Sequence, residues 1–129
     1  MTNFRRSIVA VVDDDFRVLE SLEELLESAG HSVRPFPSAQ ALLKDACLSE
    51  IDCLIADIGM PVVDGFELQL LARDARPELP VVFITARHEL ADKRRASAQG
   101  SQGFFQKPFN GAALLAAVAQ AIESSHREI

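Results

Sequence analysis

Five short apolar runs rich in β-branched residues alternate with five longer stretches patterned for helices, and that alternation is the strongest constraint on the fold. The runs at Ser7–Val12, Ser32–Phe36, Asp52–Asp57 (DCLIAD), Pro80–Thr85 (PVVFIT) and Gly103–Gln106 read as strands, the second weaker than the others. Between them, Phe16–Ala29 places Val18, Leu19, Leu22, Leu25 and Leu26 at helical spacing, and Gly30 supplies a stop. Ser38 caps a helix predicted to run to about Leu48, Gly65–Ala75 forms a third, and Glu89–Ala98 a fourth that is poor in apolar residues. Asn110 caps a last, alanine-rich helix to about Ser124. Strands and helices alternating at these lengths predict an α/β fold: one doubly wound domain with a parallel sheet covered on both faces. Its expected limits are residues 7–124, with a short extension over 1–6 and a tail or linker stub over 125–129.

The 129 residues suit one domain and leave no room for two. A net charge of −6 argues against nucleic-acid binding by this domain alone. No apolar stretch approaches the roughly 20 residues a membrane span needs, and the N-terminal apolar run ends at three aspartates, unlike a signal peptide. Cys47 and Cys53 cannot build a disulfide framework or a zinc cluster and read as packing residues, so a cytoplasmic protein with reduced thiols is expected.

Doubly wound sheets bind ligands at the carboxyl ends of their strands. Asp13 and Asp14 follow the first run, Asp57 ends the third, Thr85 ends the fourth and Lys107 follows the fifth, while the second ends in Phe36-Pro37 and offers nothing. Each alone is ordinary: acids can cap a helix, a threonine can end a strand and a lysine can be solvated. Asp15 is best read in that way, as the cap of the first helix. Convergence on one rim is far more specific. Carboxylates about 4 Å apart repel by about 4 kcal/mol per pair at an effective dielectric of about 20, which a divalent cation would offset. An all-oxygen set of this kind suits Mg²⁺. A carboxylate beside such an ion can attack a phosphoryl group, with Lys107 pairing with its oxygens and the Thr85 hydroxyl donating to another. His31, His88 and His126 fit no catalytic dyad, and no GxxxxGK[ST] or GxGxxG supports nucleotide binding.

VVDDD, LIADIGMPVVDG, FITA and FFQKPF, in that order and spacing, resemble the receiver domain of response regulators (CheY-like) from bacterial two-component and phosphorelay systems. The likeness covers about residues 7–124 and is nearest in look to receivers joined to helix-turn-helix transcriptional outputs. It implies a flavodoxin-like (βα)5 domain whose five parallel strands lie in the order 2-1-3-4-5. It also implies a phosphoprotein in signal transduction that is not a turnover enzyme. A sensor histidine kinase or histidine phosphotransfer protein would donate a phosphoryl group to Asp57, with Mg²⁺ held by Asp13, Asp14, Asp57 and the backbone carbonyl of Gly59. Thr85 and Lys107 correspond to the phosphate-binding switch residues, Phe104 to the switch aromatic, and Pro108 to a proline the family has in cis. Phosphorylation would expose a new surface on the fourth helix, fifth strand and fifth helix for an output domain or protein, or for a homodimer, with no role for a membrane.

Some residues depart from the usual pattern. Gly59 lacks a side chain and Arg87 carries a long cationic one, both flanking the expected phosphoryl site. The segment ADKRRASAQGSQG is short of large apolar residues, so the usual dimer face is in question, and Lys93, Arg94 and Arg95 read as a solvated helix face or a partner contact. The outer alanines of the last helix could also dock a partner. The chain's opening looks like a natural start, and both a stand-alone receiver and the receiver half of a transcription factor fit the pattern. A small Mg²⁺-dependent phosphatase or phosphotransferase working through an aspartyl phosphate is the alternative. It is disfavoured because Gly59 stands where a second catalytic acid would be expected.

Overall fold

A computed structural model describes residues 6–45 and 47–126. Five strands, β1 (Ile8–Val12), β2 (Ser32–Phe36), β3 (Cys53–Asp57), β4 (Val81–Thr85) and β5 (Gly103–Gln106), alternate with α1 (Phe16–Ser28), α2 (Ala39–Asp45), α3 (Gly65–Ala75), α4 (Leu90–Ala98) and α5 (Gly111–His126). The strands form one parallel sheet in the order β2-β1-β3-β4-β5, with β1 and β3 paired from Val9 opposite Cys53 to Val12 opposite Ala56.

Side-chain alternation along the central strands divides the core into two layers. Ala10, Val12, Leu54, Ala56, Val81 and Phe83 face Ala39 and Leu42 of α2, Phe66 and Leu68 of α3 and Ala96 of α4. Val9, Val11, Cys53, Ile55, Val82 and Ile84 face Leu19, Leu22 and Leu26 of α1 and Leu114, Val118 and Ile122 of α5. Burial on both faces explains why these strands read as continuous apolar runs. β2 is an edge strand, and so accommodates Pro35, which has no N–H to donate.

The caps at Asp15, Ser38 and Asn110 form: their side-chain oxygens accept from the backbone N–H of Arg17 (2.9 Å), Ala41 (3.1 Å) and Ala113 (3.0 Å). Two helix ends differ from the sequence pattern. α2, described over Ala39–Asp45, does not reach Leu48, because the carbonyl of Cys47 takes the N–H groups of Glu50 (2.8 Å) and Ile51 (3.2 Å) in a turn. The guanidinium of Arg76 reaches back from the end of α3 to the carbonyls of Leu48 and Ile51 and holds that turn in place. α5 continues to His126, past Ser124, since neither Gly nor Pro interrupts Ser124-Ser125-His126.

Candidate functional site at the strand ends

The parallel register brings the ends of β1, β3, β4 and β5 to one rim. Asp13, Asp14 and Asp57 each place a carboxylate oxygen there, all within 4.8 Å of one another. Asp13 and Asp57 are buried, whereas Asp14 is exposed. Asp13 is fixed from both sides: one oxygen accepts the N–H of Asp15 at 2.8 Å, and the other accepts Lys107 Nζ at 2.7 Å. The same ammonium lies 3.4 Å from Asp57 Oδ2, and the N–H of Gly59 donates to Asp57 Oδ1 at 2.9 Å.

Burial pushes the Asp13 carboxyl above its ordinary value, and the Lys107 hydrogen bond offsets this only in part. For Lys107, burial disfavours the charge, but the hydrogen bond and charge of Asp13, with the nearby Asp57, outweigh it and hold the ammonium's pKa up. Lys107 is therefore a persistent cation spanning two acids. The Lys107–Pro108 peptide bond is cis, and the Lys107 N–H donates to the Thr85 carbonyl at 2.7 Å, tying the end of β5 to the end of β4.

Thr85 is fully buried, and its Oγ1 accepts the N–H of Arg87 at 2.9 Å. Phe104 is half-buried against the α2–α3–α4 layer and lines an open groove of about 510 Å³ with Leu90, Lys93 and Phe109. His31 is half-buried beside β2 and His88 is exposed in the loop after β4, while the side chain of His126 lies outside the described residues. Cys47 and Cys53 are both buried, and burial pushes the Cys53 thiol up to about 12.

Several contributors are missed by sequence reasoning. Asp64 caps α3 by accepting the N–H of Glu67 at 2.8 Å. A Cβ at Gly65 would lie 2.7 Å from the Asp57 carbonyl oxygen, so glycine lets α3 start directly against the backbone of Asp57. The Asp64-Gly65 pair after a proline loop is the signal for both. Val62, 83% exposed in the same loop, has φ 70°, a left-handed conformation that costs a β-branched residue about 1–2 kcal/mol. Arg87, which the sequence places beside the site, pairs with Asp92 of α4, which it does not single out.

A receiver-domain model for response regulators matches residues 9–119. The chain belongs to the response regulator receiver family. The response regulator protein TodT of Pseudomonas putida is 35% identical over 119 residues, 92% of this receiver and 52% of TodT. The transcriptional regulatory protein FixJ of Azorhizobium caulinodans is 38% identical over 112 residues, 85% of this receiver and 52% of FixJ. The receiver thus spans about half the length of these curated relatives. Among solved structures, chemotaxis protein CheY4 of Vibrio cholerae superposes with a TM-score of 0.82 at 27% identity, covering 91% of this chain and 99% of CheY4. Receivers are in general not turnover enzymes, and the small-phosphatase alternative is not favoured. Among the described residues, no helix is long and apolar enough to cross a membrane.

Proposed function

We propose that this receiver takes a phosphoryl group onto Asp57 from a phosphohistidine of a sensor kinase or phosphotransfer protein. The observation that carries this reading is the convergence of Asp13, Asp14 and Asp57 within 4.8 Å, with Lys107 spanning the two buried acids. An all-oxygen, strongly anionic set of this size fits Mg²⁺, held by Asp13, Asp14, Asp57 and the backbone carbonyl of Gly59. When bound, the ion offsets the charge of the carboxylates and of the transferring phosphoryl oxygens.

The chain's own residues supply the rest. A carboxylate oxygen of Asp57 attacks phosphorus. The phosphorus–nitrogen bond breaks as the oxygen–phosphorus bond forms, and its electron pair stays with the imidazole. A carboxylate nucleophile needs no general base, and the acid cluster holds no histidine among the described residues. Lys107 turns from Asp13 toward the new dianion, and the Thr85 hydroxyl donates to one of its oxygens. Drawing Thr85 inward carries the loop after β4 with it and makes room for Phe104 to turn in, which reshapes the α4–β5–α5 surface seen by an output domain or protein. The functional unit spans residues 7–124 and acts in the cytoplasm.

Acetyl phosphate with Mg²⁺, followed by intact mass, tests the reading. One phosphoryl group should appear on the wild type and none on Asp57→Ala or on wild type in EDTA. A phosphorylated Asp57→Ala protein would place the acceptor elsewhere.

A further inference from the structure

Arg87 anchors the loop after β4 at three points. The Arg87 N–H donates to Thr85 Oγ1 at 2.9 Å, its carbonyl accepts Gln106 Nε2 at 3.3 Å, and its guanidinium grips Asp92. That grip is two-pronged: Nε lies 3.0 Å from Asp92 Oδ2 and an Nη nitrogen 3.2 Å from Oδ1. Asp92 is a buried carboxylate in the first turn of α4, on a helix otherwise buried only at Ala96. Its Oδ2 is sealed from water and forms no well-aligned hydrogen bond, so Arg87 is the charge that offsets it.

We infer that Asp92 is a positioning residue for Thr85: by holding Arg87 to α4, it keeps the Thr85 hydroxyl on the Arg87 N–H and away from the acceptor. This rests on the proposed phosphoryl acceptance by Asp57. For Thr85 to donate to a phosphoryl oxygen it must swing toward β3, and the Arg87 N–H must follow or let go. Arg87 cannot follow while its guanidinium is fixed to α4 and its carbonyl to β5. The pair therefore weights the two positions of the loop toward the unphosphorylated one, and any phosphoryl group must overcome it. Asp92 also explains where the Arg87 guanidinium, only two residues from Thr85, finds its partner.

The probe is beryllofluoride, a phosphoryl mimic, titrated with Mg²⁺ into the full chain and followed through the amide resonances of Thr85 and Arg87. Asp92→Asn should bind it about fivefold more tightly than wild type, with Mg²⁺ affinity unchanged. Arg87→Ala should give the same gain, the double variant no more than either single, and Asp92→Glu should restore wild-type affinity. A loosened helix without a positioning role would not produce a gain that is saturated by either partner and rescued by the longer carboxylate. If Asp92→Asn does not fold, the half-exposed Arg87→Ala decides alone. Unchanged or weaker binding in the variants, with normal binding by wild type, overturns the positioning role and leaves the acceptor reading intact. A wild type that binds no beryllofluoride with Mg²⁺ overturns the acceptor reading itself, and the inference with it.

Discussion

Helices α5 and α4 both pack on β5 and are attached by opposite means. α5 packs through Leu114, Val118, Ala121 and Ile122 into a layer shared with Leu19, Leu22 and Leu26 of α1. α4 buries only Ala96 and Asp92. Polar contacts hold its two ends: Arg87 at the first, and Gln99 just beyond the last. Gln99 and Gln69 exchange hydrogen bonds at 2.7 and 3.2 Å, Arg73 donates to the Gln99 carbonyl at 2.6 Å, and Arg95 lies 4.4 Å over the Phe66 ring. Water can replace hydrogen bonds at little net cost but cannot replace buried methylenes. The α1–α5 side therefore holds the acidic rim still, and the α4 side is the one able to move.

The sharpest way to break this contrast is to damage the apolar side. Leu22→Ala, at a fully buried position, should cost about 3 kcal/mol in urea unfolding. A loss below about 1 kcal/mol would mean that the apolar side is not the rigid one. Alkaline pH tests the same layer through Cys53. Its thiol titrates at about 12 when folded, against 9.0 for the free group. Between those values the unfolded chain releases a proton that the native one retains, so stability should fall as pH rises, by up to about 1.4 kcal/mol per unit. Below pH 9 this contribution should be flat, and Cys53→Ala should make the alkaline slope shallower, leaving the smaller part that the raised Cys47 and Lys107 groups supply. A slope left unchanged by the substitution would assign it to those groups instead.

Smaller effects probe the rim loop and α4. Val62→Gly relieves a left-handed valine that is almost wholly exposed, and should raise the denaturation midpoint by an amount equivalent to about 1 kcal/mol. A decrease would show that the side chain makes a contact worth more than its strain. Gln99→Ala should cost less than about 1 kcal/mol globally, yet speed amide hydrogen exchange in α4 and the adjacent turn while leaving α1 and α5 protected. Uniformly faster exchange would erase the distinction between the two sides.

What the sequence could convey follows the same division. The strands, the apolar faces of α1 and α5, the caps at Asp15, Ser38 and Asn110, and the positions of Asp13, Asp14, Asp57, Thr85 and Lys107 at strand ends all rest on local periodicity or on topology that periodicity implies. The attachments of α4 rest on neither. Gln69 and Gln99 are 30 residues apart, and Arg95 belongs to a charged run that reads as solvated, yet it covers Phe66. Polar side chains carry no periodic mark of their partners, so only the folded chain shows that they are fastened. The end of α2 escaped for the same reason: Arg76, 25 residues past Ile51, helps to decide where that turn forms.

Gly65 gives Asp57 mechanical reach. With no side chain between them, the first residue of α3 rests on the main chain of Asp57 itself, leaving no slack to absorb a shift. A load placed on that aspartate is therefore felt by the helix at once, as by a lever set directly on its fulcrum. Fitting even a methyl group into the joint would pry the two apart before any signal arrived.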